Sequence, residues 1–126
     1  MTTELLKPLD IVNAYLEAAI AFDYARARTY LADEGFHYVT PLNEFESADQ
    51  FIAYAELASP IVQRVESRKV FVNGDDVCHI LNVTSQISEK RSSTLVFWAN
   101  VQDGKIKTLE MIFDAHEYKM LLVLDE

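Results

Sequence analysis

The sequence has few of the residues that disulfide-bonded domains and phosphate-binding loops require. Its 126 residues include one cysteine, Cys78, with three glycines and three prolines. One cysteine cannot form a disulfide within the chain, which fits a reducing compartment. Three glycines are too few for a glycine-rich loop around a phosphate. Because its sequence neighbours are apolar apart from one histidine, we expect Cys78 to be an inert, buried thiol.

Basic residues and long apolar runs are also scarce. The chain carries 11 lysines and arginines against 20 aspartates and glutamates, a formal net charge of −9. This balance argues against nucleic-acid binding, because phosphates are bound by clustered cations. No stretch approaches the roughly 18 consecutive apolar residues of a membrane span, and residues 1–8 lack the pattern of a signal peptide. We therefore expect a soluble, cytoplasmic protein that binds neither nucleic acid nor membrane.

The chain does have a high apolar content and enough length for one core. Half of its residues are hydrophobic, which argues against disorder. A chain of 126 residues suffices for one domain and is too short for two ordinary ones. We therefore predict that residues 1–126 form a single domain.

Three helices are predicted in the first half of the chain. Asp10 is a suitable N-cap for a helix whose apolar face runs to Phe22. Asp23 is a suitable N-cap for a short second helix. Ser47 followed by Gln50 has the spacing of a capping box, which predicts a third helix that ends before a proline.

The second half of the chain has the pattern of an antiparallel meander. The dipeptides Asn73-Gly74 and Asp103-Gly104 predict tight hairpin turns, since such turns need a positive φ. A short strand at residues 36–40 precedes the meander, and Asp114 with Glu117 predicts a short C-terminal helix. Helices followed by a curved antiparallel sheet predict an α+β domain whose sheet wraps around the N-terminal helices. The predicted strands of the meander are residues 61–72, 76–87, 94–101 and 106–113.

This order of elements resembles the nuclear transport factor 2-like superfamily. The likeness rests on Phe22-Asp23, on Leu31-Ala32-Asp33 and on the turn at Gly104 that leads to Phe113-Asp114. The resemblance implies a cone-shaped domain whose open end holds a small, often apolar molecule, and it implies a homodimer. The superfamily includes ketosteroid isomerases, SnoaL-like polyketide cyclases, dehydratases, epoxide hydrolases and non-catalytic binding modules, so the fold alone does not select a function.

This chain lacks the catalytic residues that the best-known reactions of that superfamily require. The proton-shuttling carboxylate of the isomerases corresponds to Thr40, and their neutral acid falls near Phe97, so only Tyr15 is kept. The acid of the cyclases corresponds to Met111, which cannot transfer a proton. No arginine follows Arg91, which leaves no aspartate–arginine–aspartate cluster of the epoxide-hydrolase kind.

Strand alternation predicts which side chains face the interior of the cone. His79 is the one candidate there that can act as a base near neutral pH, and Tyr15 is the candidate hydrogen-bond donor. A histidine bonded to a neighbouring hydroxyl or to water in a packed core is the alternative for His79. The residues predicted to line a ligand site are Tyr38, Thr40, Tyr54, Leu81, Phe97, Leu109, Met111 and Phe113.

These residues predict binding of a small apolar or aromatic molecule, with or without proton-transfer chemistry of the isomerase, dehydratase or cyclase type. The alternative is a non-catalytic dimeric binding or accessory protein with a filled core. No cofactor and no metal ion are predicted, because no pair of histidines or cysteines has the spacing of metal ligands.

The opposite face of the sheet predicts a homodimer interface. A tryptophan among aliphatic residues is unusual on a solvated sheet face, and a second copy of the chain is the simplest cover. Partial cover by the C-terminal helix is the alternative. The assignment requires Phe97 to face the interior and Trp98 to face outward. The predicted interface residues are Ile80, Val96, Trp98 and Ile112.

Overall fold

The computed structural model describes residues 7–86 and 90–114. In chain order, the helices of this part are α1 (Pro8–Ile20), α2 (Tyr24–Arg28) and α3 (Ala48–Ala58), and a single 3₁₀ turn at Ser59–Ile61 follows α3. The strands are β1 (His37–Val39), β2 (Glu44–Phe45), β3 (Val62–Asn73), β4 (Asp76–Gln86), β5 (Lys90–Gln102) and β6 (Lys105–Ile112). The predicted C-terminal helix lies outside the described residues.

The strands form one sheet in the order β2-β1-β6-β5-β4-β3. Every neighbouring pair is antiparallel except β1 with β6, which run parallel. Helix α1 contacts β3, β4, β5 and β6, so it lies across the concave face, and α3 contacts α2 and β2. The predicted α+β class, with a curved and mostly antiparallel sheet around N-terminal helices, is confirmed. Within the described part of the chain, no helix is both long and apolar enough to cross a membrane.

The starts of the helices follow local capping chemistry. Helix α1 begins three residues earlier than predicted, because Pro8 takes its first turn and Lys7 is the N-cap. Asp10 is therefore not the cap; its carboxylate instead accepts a hydrogen bond from the backbone N–H of Lys7, at 3.3 Å. The other predicted caps are confirmed: Asp23 accepts from a backbone N–H at 3.1 Å, and Ser47 does so at 3.3 Å.

The two predicted hairpins form, and one of them is shifted by a residue. Asp103 and Gly104 both have positive φ, at 54° and 78°, as a type I′ turn requires. Between β3 and β4, Asn73 pairs with Asp76, so the central residues are Gly74 and an aspartate instead of Asn73 and Gly74. Gly74 has a φ of 62°, and a positive φ at the first central position is typical of type II′ turns.

Strand alternation places the residues as predicted. On β5, Phe97 is 3% exposed and Trp98 is 43% exposed, so the interior and exterior faces are assigned correctly. His79 lies opposite Phe97, and Met111 also lies opposite Phe97 from the other side. The short strand β2 is an addition that the sequence patterns did not predict. Cys78 is half-buried on the outer face instead of fully buried.

Candidate functional site

The interior of the curved sheet is filled by aromatic rings. The Tyr15 ring lies 6.5 Å from that of Phe51 and 6.0 Å from that of Phe97, measured between centroids. Tyr38 approaches Phe51 to 4.2 Å, and Phe36 approaches it to 5.7 Å. Each such pair contributes about 0.5–1.5 kcal/mol beyond the burial of its area. The predicted ligand-site residues Tyr38 and Phe97 therefore also form the core of the domain.

Two hydroxyl groups are buried inside this aromatic cluster. Tyr15 is 4% exposed and Tyr38 is 2% exposed. Among the described residues, neither phenol has a hydrogen-bond partner. Burial raises the pKa of both; Tyr24 raises the pKa of Tyr15 further, and Tyr54 does so for Tyr38. Both groups are therefore protonated donors at neutral pH, and burying a hydroxyl without a partner costs about 1–3 kcal/mol.

A second polar group lies where the loop between β1 and β2 meets α3. Thr40 accepts hydrogen bonds at its Oγ1 from the backbone N–H groups of Leu42 and Asn43, at 3.1 and 3.0 Å. Asn43 in turn donates through Nδ2 to the hydroxyl of Tyr54 at 2.9 Å. The predicted ligand-site residues Thr40 and Tyr54 thus hold this loop, and their own hydroxyl protons stay available for donation.

His79 is buried, and both of its ring nitrogens have side-chain partners. Nδ1 lies 2.8 Å from the Ser67 hydroxyl, and Nε2 lies 3.0 Å from the Asn13 carbonyl oxygen. Because an amide oxygen only accepts, Nε2 carries the proton and Nδ1 accepts from Ser67. Burial lowers the pKa of His79. In the part of the chain that is described, no carboxylate is hydrogen-bonded to it.

Sequence reasoning missed Ser67 and Asn13. They lie 12 and 66 residues away from His79 along the chain, on different elements, so no local motif connects the three. The alternative weighed for His79, a histidine bonded to a neighbouring hydroxyl, matches the observed geometry. Whether His79 acts as a base stays a prediction.

The other predicted ligand-site residues lie on the concave face. Leu81 and Leu109 are buried at 4% and 1% exposure, while Met111 and Phe113 are half-buried against the core. Two depressions, of about 360 and 190 Å³, open on the surface. Neither is lined by His79, Met111 or the aromatic cluster. The ligand roles of these side chains remain predictions.

The outer face exposes large apolar side chains beside one anchored carboxylate. Trp98 and Ile112 are 43% and 48% exposed. The Trp98 indole and the amide of Asn100 each donate to the Asp76 carboxylate at 3.0 Å. These two bonds hold the pKa of Asp76 below its ordinary value. Trp98 is thus fixed in orientation although it is open to solvent.

One group on β1, on β2 and on the residue after β2 could hold a cation. His37, Glu44 and Glu46 offer ligand atoms that all lie within 4.8 Å of one another, and His37 Nε2 is 2.6 Å from the Glu44 carboxylate. All three side chains are open to solvent, where such an ion pair also forms without a metal. Sequence spacing did not predict this group, because the hairpin that joins it was not predicted.

No family model matches the sequence, and no curated protein matches it either. Solved structures do match. A nuclear transport factor 2-like protein of unknown function from Cytophaga hutchinsonii has a TM-score of 0.79 at 19% identity, over 94% of this chain and 99% of that one. An LEH-like epoxide hydrolase from Mycobacterium tuberculosis has a TM-score of 0.76 at 17% identity, over 94% of this chain and 96% of that one.

A third match has the ketosteroid isomerase-like fold. This hypothetical protein from Catenulispora acidiphila, solved in complex with trimethylamine, has a TM-score of 0.74 at 15% identity, over 86% of this chain and 88% of that one. The chain therefore has the nuclear transport factor 2-like fold, as the sequence resemblance implied. At these identities the likeness shows the fold and leaves the activity open.

Proposed function

We propose that this protein binds a small, largely apolar molecule that carries a hydrogen-bond acceptor, in the interior between α1, α3 and the sheet. The observation that carries the proposal is the pair of buried phenol groups, Tyr15 and Tyr38, which lack partners among the described residues. Buried hydroxyls are almost always hydrogen-bonded in proteins. A ligand oxygen or nitrogen would supply the missing acceptor.

The surroundings of these hydroxyls define the ligand class. Aromatic rings dominate the site, and the raised pKa values keep both phenols as donors. The buried polar residues of the described part of the chain are Thr40, His79 and Ser85, with no carboxylate among them. A neutral ketone, ester, ether or phenol therefore fits better than a cation. A ligand would displace half-buried side chains beside the cluster. The candidates are Phe45 and Met111, and Tyr54, whose ring lies 5.4 Å from that of Phe45.

The fold supports a ligand-binding role. One solved neighbour holds trimethylamine, and another is an LEH-like epoxide hydrolase. For this chain we propose binding as the main function, with His79 as the base if the ligand undergoes proton transfer. We place the protein in the cytoplasm, because a lone cysteine suits a reducing compartment.

A second candidate is a non-catalytic homodimer with a filled core. The stacking of Tyr15, Tyr38 and Phe51 favours it, since a ligand must displace well-packed rings. Its working surface would be the apolar outer face, where Ile80 pairs with Val96 and Val96 pairs with Ile112. A stable interface there buries about 800 Å² on each partner.

Native mass spectrometry of freshly purified protein tests the two candidates together. We expect a small molecule to travel with the wild-type chain. Tyr15→Phe and Tyr38→Phe should each weaken its retention about 2- to 10-fold, the loss of one hydrogen bond. Tyr30→Phe is the matched control, since the Tyr30 hydroxyl pairs with Arg26 outside the cluster. Dimeric protein without any bound molecule, from several growth media, would favour the filled core.

A further inference from the structure

The contact between Ser67, His79 and Asn13 has the connectivity of an activated hydroxyl. Asn13 accepts from Nε2–H at 3.0 Å, which fixes the tautomer in which Nδ1 has a free lone pair. The Ser67 hydroxyl donates to that lone pair at 2.8 Å. A nucleophile bonded to a base, with the base oriented by a third group, is the arrangement found in covalent catalysis.

The positions of the three side chains suit such a role. Ser67 is exposed and lies on β3, which is an edge strand of the sheet. The imidazole beneath it is buried at 5% exposure. An acyl donor can therefore approach the hydroxyl from solvent while the base stays shielded from water. Shielding favours the neutral imidazole, which is the form that accepts a proton.

A β-bulge turns Ser67 toward the histidine. The register of β3 against β4 shifts between Ser67 and Lys69, so that Ser67 lies opposite Leu81 while Lys69 lies opposite Ile80. Arg68 is the extra residue at this irregularity and has no partner in the register. Bulges re-aim side chains and occur often next to active sites. Ser67 and His79 thereby share the concave face at diagonal positions.

We propose that Ser67 is a nucleophile for small activated esters, with His79 as its general base and Asn13 as the positioning residue of that base. This site shares His79 with the proposed ligand site, and His79 lies opposite Phe97 of the aromatic cluster. Acylation of Ser67 needs no ligand among the aromatic rings, so the inference stands whether or not one binds there. Its substrate class is an acyl donor with a good leaving group. Among the hydrogen bonds of the described residues, the Ser67 hydroxyl has one titratable partner, His79, so a leaving group that needs little assistance suits the site.

The step balances with the groups present. The Ser67 oxygen forms a bond to the acyl carbon, and its proton passes to Nδ1 of His79. The tetrahedral intermediate then collapses, the bond to the leaving oxygen breaks, and the leaving oxygen takes the proton from Nδ1. In the second half, water adds its hydroxyl to the acyl carbon and gives its proton to Nδ1. The carboxylic acid then leaves, and the proton returns to Ser67.

The probe is p-nitrophenyl acetate. The release of p-nitrophenolate measures the reaction rate, and peptide mapping by mass spectrometry identifies the acetylated residue. We expect one acetyl group on Ser67 of the full chain. His79→Gln should lower its formation at least about 100-fold, the usual contribution of a general base. Ser67→Ala should abolish it. Ser92→Ala is the matched control, because Ser92 is an exposed strand serine bonded to Thr84.

The pH dependence of acetylation in the wild-type protein tests the role of His79 without a substitution that could disturb the fold. Acetylation of Ser67 should rise as His79 loses its proton, with the midpoint of the rise below pH 6.5, the ordinary value from which burial lowers the pKa of His79. Asn13→Asp should move the profile to higher pH, since a carboxylate stabilises the imidazolium. Acetyl groups spread over lysines, or a Ser67 rate that ignores His79→Gln and pH, would overturn the proposal.

Discussion

Replacing Tyr38 by phenylalanine removes one oxygen atom from the centre of the domain and leaves its ring contacts in place. The ring lies 4.2 Å from Phe51 and 5.9 Å from Phe45, and phenylalanine keeps both contacts. What disappears is a buried hydroxyl without a partner among the described residues. Its penalty is about 1–3 kcal/mol.

The ligand-free Tyr38→Phe variant should therefore be more stable than the wild type. We expect a gain of about 1–2 kcal/mol in the free energy of unfolding, the lower part of the penalty for a buried hydroxyl. This sign is unusual, because most core substitutions destabilise by about 1 kcal/mol. For a domain of this size the shift in Tm would be roughly 3–5 °C per kcal/mol. The bound state should show the opposite change, since the variant loses one hydrogen bond to the ligand.

Urea unfolding followed by circular dichroism measures the free energy of unfolding directly. The protein is first unfolded, dialysed and refolded, so that any bound molecule is removed. Tyr30→Phe serves as the control and should change stability little, because its hydroxyl is partly exposed. A ligand-free Tyr38→Phe variant that is less stable by 1 kcal/mol or more would refute the reasoning, since the hydroxyl would then have a partner.

Three further outcomes follow from the structure. Trp98→Glu should convert a dimer into a monomer in sedimentation velocity, and Thr94→Glu on the same strand should not; dimers in both cases would exclude this face. Burial lowers the pKa of His79 in the folded state, so the unfolded state binds the proton more tightly. The free energy of unfolding should therefore not be reduced by this histidine above pH 6.5, the ordinary value, and should fall as the pH drops below it. His79→Gln should flatten that decline in urea unfolding, and an unchanged slope contradicts it. Gly74→Ala should cost about 1–2 kcal/mol because φ is 62° there, whereas Gly74→Asn should cost less; equal losses would contradict a conformational cause.

The fold was predictable because its signals are local or periodic. Capping at Asp23 and Ser47 depends on a few neighbouring residues. The alternation that places Phe97 inside and Trp98 outside is a period-two pattern read along one strand. The predictions were wrong where a nearby residue also suits the same position. Helix α1 starts at Pro8 and is not capped by Asp10, and the central residues of the first hairpin turn begin at Gly74 and not at Asn73.

The site was predictable only in part. Alternation identifies strand side chains that face the interior, such as Tyr38 and Phe97, but it does not say whether rings fill the volume between them. The partners of His79 depend on a bulge at Ser67 and on the packing of α1 across the sheet. Both are tertiary effects that no short segment encodes. The strand β2 has two residues, too few for a periodic signal.

The bond between the Trp98 indole and Asp76 has a practical consequence. Trp98 is the one tryptophan among the 126 residues, and its ring lies on the solvent side, held at a fixed angle by that carboxylate. The tryptophan fluorescence of the unlabelled protein therefore reports on a single known position on the outer face. A blue shift on raising the protein concentration would register contact at that spot, while quenching by added iodide would register its openness.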